Sequence, residues 1–424
     1  MARSLTLSSI LVVTIALAAC GSSDSGSEGE EEQQQPMRVE RQVTERTAEL
    51  APVVDGNNAF AWSLYDVLRA EPGNRFFSPF SLYTALSMTY AGARGETATQ
   101  MREALHIGDD DAQHHAGLGA LLRDLSGEKE GRAYQLRIAN RIFGQLGLAI
   151  EPAFLDLVAT EYAAPMEQLD FGGDPEGSRS TINEWVAEQT EDRIEELLRP
   201  GDITTDTAVV LANAIYFWAL WAEQFDPADT RDAPFTLADG SQVTVPMMSA
   251  EVEARAAVRY PGDGTPSVLE LDYEDHEVSF VVLLPATADG LDALEQTLVA
   301  GGYDDLLASA RPQEIQVGLP SFEFRDRFSA VTALRTLGAP AMFCDAPADF
   351  SGIASSLCVS DVVHEAYVKV DEEGTEAAAA TAVVVTVQAA SPAFIANHPF
   401  VFAIRDQLTG TILFLGRVED PSAS

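Results

Sequence analysis

Residues 371–399 constrain the fold of this chain more than any other stretch. They open on Asp371-Glu-Glu-Gly-Thr375, pass through Ala377, Ala378, Ala379 and Ala380, and turn β-branched at Val383, Val384 and Val385. No Asp, Glu, Lys or Arg lies between Glu376 and Arg405. Alternate residues of an extended chain share a face, so Thr375, Ala377, Ala379, Thr381, Val383 and Val385 would point the same way. All are small or β-branched, and that face can enter a sheet interior without clash. An ordinary buried strand is one reading. Against it, the run is about three times the usual ~5–6 residues of a strand, and Gly374 and Pro392 bracket it like the ends of a loop.

The flanks of this stretch carry motifs. Before it stands His364-Glu-Ala-Tyr-Val-Lys-Val-Asp371; after it come Phe394-Ile-Ala-Asn-His-Pro-Phe400 and Ile412-Leu-Phe-Leu-Gly-Arg-Val418. Together they resemble the C-terminal third of a serpin. In that family the intervening segment is a reactive-centre loop, bait for a protease, which inserts into the central sheet as an extra strand after cleavage. The resemblance extends over residues 57–420. Asn74-Arg-Phe-Phe-Ser-Pro-Phe-Ser81, Gly92-Ala-Arg-Gly95, Ile182-Asn-Glu-Trp-Val186, the apolar run from Val209 to Trp221 and Ala348-Asp-Phe-Ser-Gly352 all take part.

It implies an α+β serpin fold of three β-sheets with eight or nine helices and an exposed reactive-centre loop. It assigns Glu372, Gly374, Thr375 and Ala377–Ala380 to the hinge. Ser78, Ser81, Asn183 and His364 would form a latch beneath the point where the sheet opens, sharing one buried hydrogen-bond network. Ser78 also reads, from the residues alone, as a helix cap at a strand-to-helix junction. Trp221 would stand where the loop enters the sheet. The family commonly has lysine where this chain has Ser321, so an ion pair to Glu372 is expected to be missing and another group must hold the hinge. In the family's spacing the reactive bond is Gln388–Ala389, with Val387 a one-residue alternative. The segment around it is apolar or small apart from Thr386 and Gln388 and carries no Arg or Lys. A trypsin-like target is therefore disfavoured, and an elastase-like or subtilisin-like serine protease is expected.

The N-terminus reads separately from the fold. Arg3, an apolar core from Leu5 to Leu17 and Leu17-Ala-Ala-Cys20 resemble a bacterial lipoprotein signal, with Cys20 as the lipidated residue. Residues 1–20 are then a signal peptide and 21–56 a disordered acidic tether, whose first part, 21–36, is almost wholly Gly, Ser, Asp, Glu and Gln. Residues 57–424 form one serpin domain, whose first helix is expected near Asn57 with Asn58 as its cap. Such a protein would be a monomer held on a membrane through its lipid, in the cell envelope or at the surface, outside the cytoplasm. A formal net charge of −40 excludes a nucleic-acid backbone as partner.

The remaining cysteines, Cys344 and Cys358, are either a disulfide or two unpaired thiols; spacing does not decide. No HExxH zinc motif, Gly-x-Ser-x-Gly elbow, P-loop or dinucleotide turn is present. His114 and His115 sit in a polar, acidic stretch and are expected as a solvated pair. The reading is of a protein that is not an enzyme, needs no cofactor or metal, and acts as a suicide inhibitor of serine proteases. The alternative is a non-inhibitory binding or chaperone-like protein of the same fold. Against that stands the small, uncharged hinge at Thr375 and Ala377–Ala380.

Overall fold

The computed structural model describes residues 46–125, 134–258, 264–375 and 392–423. The signal sequence with Cys20, most of the tether, Ala377–Ala380 of the hinge, and the bond residues Val387, Gln388 and Ala389 lie outside the described residues. Six longer helices come first: α1 (Ala51–Leu68), α2 (Pro79–Ala91), α3 (Gly95–Ala104), α4 (Asp111–Leu125), α5 (Pro152–Tyr162) and α6 (Pro175–Gln189). The first half of the chain also supplies strands β1 (Arg75–Phe77), β2 (Tyr134–Gln145), β3 (Met166–Leu169) and β4 (Val209–Leu220). After these follow β5 (Arg231–Thr236), β6 (Gln242–Ala257), β7 (Ser267–Asp272), β8 (Val278–Leu284), β9 (Arg311–Pro320) and β10 (Phe322–Ser329). The last are β11 (Val363–Val370), β12 (Gly374–Thr375), β13 (Ala393–Ile395), β14 (Phe400–Asp406) and β15 (Ile412–Val418).

One sheet runs in the order β10-β11-β12-β4-β2-β3. The other runs β1-β15-β14-β8-β7-β6-β9-β13, with β5 added on β6. The second and third of the three expected sheets therefore join through β6, whose first residues pair with β5 and whose last three pair with β7. Strands buried on both faces read as unbroken apolar runs. This is true of β8, β14 and β15, which form the centre of the larger sheet.

Two apolar clusters hold the layers together. The larger runs between the sheets and under α1–α5. The smaller packs α6 and the segment after it onto the six-stranded sheet, with Ile182, Trp185 and Val186 of α6 against Phe143 and Ala212. A cap and a proline begin both α2 and α6. Ser78 Oγ accepts from Ser81 N–H ahead of Pro79, and Asp174 accepts from Gly177 N–H ahead of Pro175.

The first helix differs from expectation. It begins at Ala51, so residues 51–56 are helix and not tether, and Asn58 does not cap it. Leu50 stands at the cap position without a side-chain bond and Pro52 opens the helix, which leaves little polar signal to read. Asn57 and Asn58 instead clamp the C-terminal hairpin. Asn57 Nδ2–H donates to the Ile412 carbonyl, and Asn58 bonds Gly410 O and Ile412 N–H.

Candidate functional site

Strand β12 is the stem of the loop, and its two residues already lie inside the six-stranded sheet. Gly374 and Thr375 pair antiparallel with Leu220 and Ala219 of β4, and Thr375 pairs with Val370 of β11. Glycine is required here by close approach. A Cβ at residue 374 would lie 2.0 Å from the Ala219 carbonyl oxygen and 2.8 Å from Leu220 Cα. Thr375 is buried with its side chain toward Tyr273, hydroxyl to hydroxyl at 2.6 Å. Burial keeps the Tyr273 phenol protonated by pushing its pKa up.

The turn before the stem is held as tightly. Asp371 Oδ1 accepts from the N–H groups of Glu373 and Gly374, and its other oxygen lies 2.7 Å from Lys369 Nζ. Trp221 Nε1–H donates to the Asp371 carbonyl at 2.9 Å, and Trp221 N–H to Glu373 O at 2.8 Å. The Trp221 ring stacks on Tyr273, centroids 4.7 Å apart. Glu372 finds no lysine, as Ser321 leads one to expect. Its carboxylate accepts from Thr230 Oγ1 at 2.6 Å, and its carbonyl from Phe225 N–H. Hydroxyls and backbone amides thus take the place of an ion pair at Glu372.

Beyond Thr375, no described residue is paired in the sheet between β4 and β11. At the far end of that interval lies a cavity of about 300 Å³. Residues 206–213 line it from the β4 side, and residues 356–364 from the β11 side. Side chains of α2, Ile182 of α6, the segment after α6 from Leu197 to Ile203, and Met342, Cys344, Phe350 and Ile353 also line it.

Polar groups bridge the inner end of this cavity. Ser78 N–H donates to His364 Nε2 at 3.1 Å, and Ser78 Oγ donates to the Leu413 carbonyl at 2.7 Å. Ser81 Oγ bonds Asn213 Oδ1, whose amide donates to Asn140 Oδ1 at 2.7 Å. Asn140 in turn reaches the Tyr162 carbonyl. Burial drives the His364 pKa down to about 3, so its neutral ring is an acceptor for Ser78. Three of the four residues expected to share this network do so. Asn183 does not: its amide group both donates to and accepts from the backbone of Leu198 at 2.8 and 2.9 Å, pinning the chain after α6. Asn213 occupies the place assigned to it. An asparagine alone in the apolar strand 209–220 is the signal that marks it, because a buried amide needs partners.

His114 and His115 are a second correction. Both are buried, 5% exposed, on the inner face of α4 with Leu118, Leu121, Leu122 and Leu125. That spacing is helical, and the period outweighs the polar composition of the stretch. His114 bonds Ser87 Oγ, His115 bonds the Tyr162 hydroxyl, and burial lowers their pKa values to about 3 and about 4. The cysteine question is answered in favour of the bond: Cys344 and Cys358 form a disulfide. Tyr273, Thr230 and Asn140 carry no pattern in the sequence that singles them out.

Comparison with known proteins matches this arrangement. A family model described as serpin (serine protease inhibitor) covers residues 55–421. The leukocyte elastase inhibitor of Bos taurus is 40% identical over 380 residues, 86% of this chain and 98% of that protein. Among solved structures, a highly specific serpin of the insect Tenebrio molitor aligns with a TM-score of 0.76 at 32% identity, covering 87% of this chain and 98% of that one. Thyroxine-binding globulin in complex with thyroxine aligns with a TM-score of 0.77 at 27% identity, covering 88% and 100%. With a family model spanning most of its length and a relative at this identity across nearly its whole fold, the chain belongs to the serpin family.

Proposed function

We propose that the protein is a suicide inhibitor of serine proteases. Residues 376–391 are the bait, and the loop enters the six-stranded sheet after cleavage. The observation that carries this reading is the register of β12. Continued along the loop, the pairing that sets Thr375 opposite Ala219 and Val370 brings Thr381 opposite Asn213 on one side and His364 on the other. Seven residues later it brings Gln388 opposite Asp206 and Leu357. Both ends of that span line the cavity from both sides. The cavity thus lies where this register would seat residues 381–388, and the face that Thr375 turns inward would continue through Ala377, Ala379, Thr381, Val383 and Val385.

The chemistry is the protease's own. Its serine attacks the loop carbonyl and forms an acyl-enzyme, releasing the C-terminal side as an amine. Fourteen inserted residues span ~46 Å, enough to carry the acylated enzyme across the molecule. At ~0.5–1.5 kcal/mol net per new hydrogen bond, the ladder contributes on the order of 10 kcal/mol. Insertion that outruns hydrolysis leaves the protease displaced, and a 1 Å misplacement in an active site costs about 10²-fold in rate.

The apolar loop centre and the resemblance to a leukocyte elastase inhibitor both support an elastase-like or subtilisin-like target cut at Gln388–Ala389. The leader ending at Cys20 supports lipid anchoring outside the cytoplasm, where a disulfide persists, with the protein acting as a monomer. The competing reading is a carrier, for which the cavity would be the ligand site. Mixing with pancreatic elastase and with subtilisin separates the two. Inhibition yields an adduct that survives SDS and a C-terminal fragment beginning at Ala389. Cleavage without adduct at every enzyme ratio would overturn the inhibitory reading.

A further inference from the structure

Both cysteines of the disulfide line the cavity that would receive the end of the loop, and both are exposed. They close the ends of the segment 344–358, which forms the cavity's outer wall and runs directly into β11. The middle of this segment is anchored elsewhere: Asp349 O accepts from Arg94 N–H, and Gly352 N–H donates to Gly92 O. Phe350 and Ile353 are buried there. The last part, residues 355–362, has a thinner hold. Val359 bonds the backbone of Met342 and Cys344, and Val362 O accepts from Ala330 N–H. Within it Ser356 sits at φ 61°, a left-handed conformation that costs a non-glycine residue free energy and persists only where its surroundings enforce it. The disulfide, two residues on, is the nearest covalent tie.

The apolar part of the cavity's lining favours closure wherever the wall is free to move in, because side chains that do so recover lost contacts. Leu357 and Val359 are the side chains placed to do so, as both line the cavity and neither is fully buried. The loop register brings Val387 and Gln388 opposite Cys358 and Leu357, so a collapsed wall would occupy the seat of the last residues to insert.

We propose that the Cys344–Cys358 disulfide is a brace that holds open the far end of the slot, and that its reduction turns the inhibitor into a substrate. The inference rests on the loop-insertion reading above. It places the effect late: attack on the bait segment is untouched, while the final residues must expel the wall before seating, and hydrolysis of the acyl-enzyme gains time. The reduction itself takes two electrons and two protons from a dithiol, which becomes a disulfide as Cys344 and Cys358 become thiols. Exposure of both residues makes them reachable under native conditions.

The test uses the full chain in three forms: oxidised, reduced with dithiothreitol, and carrying Cys344→Ser with Cys358→Ser. Each is mixed with subtilisin or elastase, and two quantities are followed: the second-order rate of loop attack and the ratio of cleaved inhibitor to adduct. The expected result is an unchanged attack rate with a ratio raised about threefold or more, restored when the reduced protein is reoxidised. If the serine variant does not fold, reduction of the folded protein still decides. An unchanged ratio in the reduced protein, or a ratio that rises only with a matching fall in attack rate, would overturn the brace alone. Absence of adduct in the oxidised protein, with no gain in melting temperature on loop cleavage, would overturn insertion itself and the brace with it.

Discussion

Gly374→Ala tests the docked hinge most directly. The added Cβ would meet backbone atoms of Ala219 and Leu220 at 2.0 to 3.0 Å, and backbone cannot rotate aside as a side chain can. The stem must leave the sheet. Leaving breaks the β12 ladder, the Trp221 N–H bond to Glu373 O and the Tyr273–Thr375 hydroxyl pair. Three such contacts at ~0.5–1.5 kcal/mol net each sum to about 1.5–4.5 kcal/mol, a shift of roughly 10- to 1,600-fold toward the undocked hinge. A glutamate-specific protease reads this population, because cleavage of an opened segment tracks how often it opens. The variant should be cut after Glu372 or Glu373 under conditions that leave the parent intact at those bonds. With serine proteases it should be turned over at the loop with little adduct, since the same Cβ obstructs the first step of insertion. A variant as resistant at the hinge as the parent, and forming adduct in the same yield, would refute the close packing of Gly374 as the reason for glycine there.

Thr375→Arg places a charge among Tyr273, Trp221 and the core, and is expected to give cleavage without trapping; adduct at the parent stoichiometry on SDS gels would count against it. Asn213→Ala and Asn183→Ala should separate, each costing about 1–3 kcal/mol in denaturant melts from unpaired buried partners. Only Asn213→Ala, which frees Ser81 and Asn140 beside the cavity, should also alter the ratio of adduct to cleaved product. His114, His115 and His364 have folded-state pKa values pushed below the ordinary histidine range by burial, to about 3, 4 and 3. The unfolded chain then binds more protons between roughly pH 6.5 and those values, so stability is full near neutral pH and is lost as pH falls through that window. The loss amounts to on the order of 3 kcal/mol for each fully buried ring by pH 4. Melts between pH 7.5 and 4.5 should show the decline, and His364→Gln should flatten its slope; a slope unchanged by that substitution would oppose the assignment.

The parts legible in the sequence are those whose logic is local. The run of small and β-branched residues between Gly374 and Pro392 announces a segment that can become a strand. Ser78 before Pro79 announces a helix start, and the apolar run from Val209 a buried strand. What escaped is set by distant partners. Asn58 looks like a cap, yet the helix begins earlier and Asn58 serves the hairpin 410–412, more than three hundred residues away in the chain. Asn183 stands in the expected motif, but its position on α6 turns it to Leu198, while Asn213 on β4 faces Ser81. The polarity of their neighbours points His114 and His115 outward, whereas the helical period of α4 turns them inward. Nothing near Tyr273 or Thr230 in the chain hints that a loop stem a hundred or more residues later will rest on them.

On the proposed mechanism the energy for insertion would come from two places, acting at different times. One is the ladder between β4 and β11 beyond Thr375, where no described residue is paired and which the cut loop would gain residue by residue. The other is the cavity of about 300 Å³, whose lining mixes apolar side chains with Asp202, Asp206, Asn213 and His364, so that filling it would recover contacts with its apolar part. That gain would come only when residues 381–388 arrive. On the proposed mechanism the docked stem would decide how readily insertion begins, and the cavity whether it finishes before water reaches the ester. Substitutions should sort accordingly. Changes between Val385 and Ala390 alter which protease attacks and how fast, because they meet its pocket. Changes at Gly374, Thr375 or Tyr273 alter the first step after cleavage, and changes at Asn213, His364 or the disulfide alter the last. Only the first group should move the rate of attack; the other two should move the outcome of each attack, and do so at an unchanged rate of acylation.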